Sequence, residues 1–149
     1  MKLATIRSEN PKQRHGQLVV VSRDGRKAVR PPASVAETLL QALENWKETA
    51  PKLVALFDAL QEGKAPGSFD LKAETLLAPL PFAPGFYDGS AFLSHVVRAR
   101  RSRGDEMPDS AKKTPLMYQG VSDNLLPFHA PLDIMNPEYG GDFEGEFAV

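Results

Sequence analysis

Gln17-Leu18-Val19-Val20-Val21-Ser22-Arg23-Asp24-Gly25-Arg26-Lys27-Ala28-Val29-Arg30 is the stretch on which the reading of the fold turns. Three successive valines make Gln17–Ser22 a β-rich run, because side chains branched at Cβ suit a pleated surface. Asp24-Gly25 separates it from a second β-prone run, Lys27–Arg30, and such a pair between two runs marks a hairpin. Pro31-Pro32 ends the unit, since proline supplies no backbone donor. Upstream, Lys2–Arg7 alternates in the manner of a strand. The chain therefore opens with a hairpin-containing sheet.

Helices follow. Ser34 and Glu37 have capping-box spacing, and Val35, Leu39, Leu40, Leu43 and Trp46 recur close to helical period. Pro51 predicts a break and restart. Leu53, Val54, Leu56, Phe57 and Leu60 form a second apolar stripe, which Gly63 stops. Both stripes read as core, and no function is read in residues 1–67. Residues 66–70 read as a linker, and Ala78–Pro84 as an extended entry into a second unit. The predicted class is α+β: a small sheet-plus-helices domain over residues 1–78, then a second, incomplete unit over residues 79–149.

Composition removes several functions. There are 18 basic and 19 acidic side chains among 149 residues, a balance with no global pull toward nucleic acid or an anionic membrane. Cysteine is absent, which rules out disulfides, thiolate metal sites and cysteine nucleophiles. No apolar run is long enough to cross a bilayer, and the first residues lack the apolar core of a signal peptide. The expected location is cytoplasmic. Of 13 prolines, eight lie between Pro79 and Pro137, so this stretch is expected to hold many ordered loops. A short helix is expected over about Ser90 to Arg103.

Chemistry concentrates in that second part. Asp142–Val149 alternates as a strand does, which would place Glu144 and Glu146 on one face, about 7 Å apart. Two such carboxylates repel, and a hard cation between them would remove the cost. The same pattern also describes a solvated strand face. Asp88-Gly89 reads as a turn or helix cap as well as a possible ligand. His95 lies seven residues on, two helical turns, close enough to act on water or substrate beside an ion but too far to share it. A helix histidine bonded to a backbone carbonyl is the plainer reading. Arg98, Arg100, Arg101 and Arg103 could clamp a carboxylate or simply face solvent. Tyr118 offers a phenol beside Gly120, or a hydroxyl satisfied within the fold. No phosphate loop, nucleophile elbow or dinucleotide fingerprint is present.

Taken in order, MKLATI, QLVVVS, PLP, YDGSAFLSHV, RSRGDEMP, PLMYQG and GGDFEGEFAV resemble successive motifs of the fumarylacetoacetate hydrolase family, in its bacterial type. The resemblance implies a hydrolase that cleaves a carbon–carbon bond in a diketo acid, either fumarylacetoacetate at the end of tyrosine and phenylalanine breakdown or a related acylpyruvate. It implies a divalent cation, Mg²⁺ or Ca²⁺ with Mn²⁺ possible, held by Asp88, Glu144 and Glu146. It makes His95 the general base, and Arg100 and Tyr118 the substrate contacts. Ideal helical geometry would sooner choose Arg98, since Arg100 stands about 140° around a helix from His95. Some relatives carry tyrosine where this chain has Ser90, which leaves the substrate open. The family also implies a mostly β catalytic domain, a β-roll, and homodimers in full-length form. Relatives add an aspartate ligand, a lysine and an acidic partner for the histidine beyond this point. The expectation is thus a fragment with little activity alone, with no nucleic-acid or membrane partner. The alternative is a non-catalytic fold or assembly module.

Overall fold

A computed structural model describes residues 1–120, 124–141 and 143–149. Four antiparallel strands, β1 (Lys2–Ile6), β2 (Gln17–Val21), β3 (Lys27–Val29) and β4 (Phe69–Asp70), lie in the order β1-β2-β3-β4. Leu3 faces Val20 across the first pair, and Val20 faces Val29 across the second. The turn joining β2 and β3 forms at Asp24-Gly25 as expected. Gly25 takes φ 78°, and the Asp24 carboxylate accepts from the Ser22 hydroxyl at 2.6 Å and from the Arg26 amide at 3.1 Å. Both bonds favour the ionised form and hold the Asp24 pKa below its ordinary value. Lys27 pairs with Asp70 at 2.7 Å across β3 and β4 and lowers the Asp70 pKa by the same logic.

Successive side chains of β2 point to opposite faces, and both faces are sealed. Leu18 and Val20 join Val29, Ala42, Leu53, Phe57 and Leu60 on the helical side. Val19 and Val21 join Ile6 and Ala28 on the other side, where Leu71 and Leu76 cover them. The second cover comes from irregular chain. Residues 75–77 run along the open edge of β1, with the Arg7 amide donating to the Thr75 carbonyl and the Leu77 amide to the Thr5 carbonyl. An edge that would otherwise invite pairing is thereby closed.

The helical layer departs from the expected boundaries. α1 spans Leu39–Glu44, and its cap is Thr38, whose hydroxyl accepts from the Gln41 amide while Gln41 reaches back to the Thr38 amide. The capping box is therefore Thr38/Gln41, not Ser34/Glu37. The Glu37 carbonyl instead accepts from the Leu18 amide at 2.8 Å, a bond to the sheet that a helix starting at 34 would forfeit. α2 runs unbroken from Trp46 to Gln61 with Pro51 inside it, so the break lies at Asn45. Pro51 and Lys47 are both exposed, and water can serve the carbonyl that the missing proline donor leaves free. The buried Thr49 hydroxyl donates to the Ala42 carbonyl at 2.8 Å and ties the two helices together. Gly63, at φ 70°, stops α2 as expected. The supposed linker at 66–70 contains β4.

Candidate functional site

The expected site residues lie after Pro81, where the chain changes character. β5 (Tyr87–Ser90) and β6 (Leu116–Gln119) form a separate two-stranded antiparallel sheet. Pro115 stands just before β6, where it removes no ladder bond. The register sets Asp88 directly opposite Tyr118 and Ser90 opposite Leu116. Two residues 30 positions apart, expected as ligand and substrate contact, are thus neighbours across one strand pair. Directly opposed Cβ atoms lie roughly 4.5–5.5 Å apart. Asp88 is half-buried and Tyr118 is open to solvent.

α3 (Leu93–Ser102) follows β5 closely and confirms the expected helix within three residues at its start. It carries His95, exposed on its first turn, with the His95 amide donating to the Phe92 carbonyl at 2.9 Å. Arg100 is half-buried while Arg98 and Arg101 are exposed. Arg100 and Arg101 sit in the last turn, where cations complement the helix dipole. Gly104 ends the helix at φ 81°, and the Arg100 carbonyl accepts from the Asp105 amide at 3.0 Å. That bond fixes the backbone of Arg100 and leaves its guanidinium to other work.

Glu144 and Glu146 stand in irregular, exposed chain. The strand expected at 142–149 does not form over residues 143–149, and Asp142 lies outside the described residues. Alternation alone does not make a strand. A strand also needs a covered face, and Phe143 and Phe147 lie open to solvent. Among the described residues, no group of three His, Asp or Glu side chains is close enough to hold a metal ion. The structure therefore sets Asp88 opposite Tyr118 and does not gather Asp88, Glu144 and Glu146 into one group.

One group of contacts was not foreseen in the sequence. The Arg14 guanidinium lies 4.0 Å over the Phe82 ring, and His15 meets the same ring edge-on at 5.9 Å. The buried Thr5 hydroxyl donates to the Pro79 carbonyl at 2.6 Å. These contacts anchor residues 79–82 to the first sheet. The signal that could have found them is the density of Arg7, Lys12, Arg14 and His15 in one turn-rich loop.

An antiparallel sheet sealed on both faces, with helices on one of them and a hairpin-and-helix segment after it, defines a small α+β domain. A family model described as fumarylacetoacetase N-terminal domain 2 matches residues 1–82. The chain belongs to the fumarylacetoacetase family through this amino-terminal domain. No curated protein matches it. Among the described residues, no helix is long and apolar enough to cross a membrane.

Proposed function

We propose that the chain is the amino-terminal part of a fumarylacetoacetase-like, metal-dependent hydrolase that cleaves a carbon–carbon bond of a diketo acid, fumarylacetoacetate or a related acylpyruvate. The family match over residues 1–82 carries this reading. The domain over residues 1–78 is the scaffold, and residues 79–149 begin a mostly β catalytic domain, the family's β-roll. In this reading the protein works in the cytoplasm, in tyrosine and phenylalanine breakdown, and its full-length form pairs as a homodimer.

Asp88, Glu144 and Glu146 are the proposed ligands of Mg²⁺, Ca²⁺ or Mn²⁺, since carboxylate oxygens are the donors such ions take. When bound, the ion would supply Lewis acidity and orient the substrate. The donor chemistry fits, but the described arrangement does not gather the three side chains. His95, exposed at the start of α3, takes a proton from water. Arg100 holds a substrate carboxylate with its forked donors. The Tyr118 phenol, opposite Asp88, bonds a substrate oxygen.

With no group of three carboxylates gathered among the described residues, the 149-residue chain by itself is expected to bind Mg²⁺ weakly and to turn over little substrate. The deciding assay follows diketo acid loss by the protein as its gene expresses it, with and without Mg²⁺. Metal-dependent turnover reduced at least about a hundredfold in His95→Ala supports the proposal. No turnover of any acylpyruvate with any of the three ions overturns it. A second reading, an assembly module without catalysis, is favoured by one observation: among the described residues no side chain after Pro81 is buried. It predicts no effect of metal on stability in the wild type or in Glu144→Ala and Glu146→Ala.

A further inference from the structure

The connection between β1 and β2 is ten residues long, whereas paired antiparallel strands need only about two to five. It is an ordered loop. The Ser8 hydroxyl accepts from the Asn10 amide at 3.2 Å, the Asn10 side chain accepts from the Lys12 amide at 3.0 Å, and the Gln13 carbonyl accepts from the Gly16 amide at 3.1 Å. The loop bounds a hollow that includes Arg7, Ser8, Asn10, Gln13 and Arg14, with Leu77 at one side. Glu9 also borders it, yet forms no ion pair with either arginine. Counted along residues 7–16, three permanent cations, Arg7, Lys12 and Arg14, stand against this single acid.

Arg14 is held by the Phe82 ring beneath it. A guanidinium stacked on an aromatic face keeps its N–H edges for bonding in its own plane. Part of the entropy cost of fixing a long side chain on a ligand is thereby met before the ligand arrives. We propose that this hollow binds a small oxyanion, a carboxylate or phosphate group, between Arg7 and Arg14, with the side-chain NH2 groups of Asn10 and Gln13 as further donors. The forked donors match either group. Such a site is separate from the hairpin and α3. It also touches, through Phe82, the segment leading to β5, so an anion bound there would stiffen the junction between the two parts.

The test is amide-resolved NMR of the whole chain, titrated with succinate and separately with inorganic phosphate, with sodium chloride holding ionic strength constant. Saturable shifts at residues 7–16 and at Phe82 are expected, with a dissociation constant on the order of 1 mM. They should weaken at least about tenfold in Arg14→Gln and in Arg7→Gln, and several-fold in Phe82→Leu, which keeps the apolar contact but loses the ring. Unmoved amides of Leu18–Val21 would show that each variant still folds. Arg26→Gln, in the β2–β3 turn, should bind as the wild type does. Tighter binding of one probe names the source of the anion. Linear, unsaturable shifts with both probes overturn the proposal, as do shifts that persist undiminished in Arg14→Gln.

Discussion

In residues 1–82 the apolar side chains close upon one another: Leu18, Val19, Val20 and Leu53 are wholly buried, and two separate clusters back the two faces of one sheet. In residues 83–149 the apolar content is only slightly lower, yet Phe92, Phe128, Met135, Phe143 and Phe147 lie open to water. The first region satisfies its hydrophobic pattern internally, and the second does not do so within the described chain. Burying one large apolar side chain stabilises a fold by about 1.5–3 kcal/mol, so the first region carries nearly all the stability that apolar burial supplies. A two-stranded sheet such as β5–β6 is marginal by itself.

Hydrogen exchange would expose the largest contrast. Amides of Leu18–Val21 should exchange at least about a thousandfold more slowly than those of Tyr87–Ser90, because the former open only with the whole domain. Equal protection would erase the distinction between the two regions. Core truncation comes next. Leu53→Ala should cost about 4 kcal/mol in denaturant unfolding, while Phe147→Ala should change stability by less than about 0.5 kcal/mol. The glycines sharpen the same contrast. Gly16 takes φ 68°, and a Cβ there would meet Thr5 Cγ2 at 2.5 Å and the Ile6 carbonyl at 2.7 Å, whereas Gly145 faces open space. Gly16→Ala should cost about 3 kcal/mol from backbone strain and overpacking, and Gly145→Ala close to nothing.

The smallest effect is one of pH. Asp24 and Asp70 both have lowered pKa values in the fold, so what their ionised forms contribute is present above the ordinary carboxylate value of 3.8 and is lost as pH falls through the folded values. Acid titration below about pH 4 should weaken the first region. The double variant Asp24→Asn, Asp70→Asn should flatten that dependence without altering exchange in the second.

The strands and the hairpin were legible because their signals are local: the valine run, Asp24-Gly25, and Gly63 after an apolar stripe. The helix start differs from the local capping pattern because a contact between Glu37 and Leu18, distant in sequence, overrides it. β4 reads as a linker in the sequence because two residues carry no periodicity, and their strand character comes only from pairing with β3. The tail shows the reverse fault, with periodicity but no covered face. For the candidate site, residue types were readable and neighbourhood was not. Nothing local in YDGS or LMYQ sets Asp88 against Tyr118, because that register arises between segments separated by a whole helix.

The valine run of β2 has one more consequence. A strand that is apolar on both sides carries no internal mark of its own alignment: slid by one position, Val19, Val20 and Val21 would still meet apolar neighbours on either side. Alignment must then be encoded at the strand's two ends, by Gly16, where only hydrogen allows Thr5 and Leu77 to close in, and by Ser22 with Asp24, whose short bond pins the turn. Damage at those two points would therefore cost alignment as well as stability.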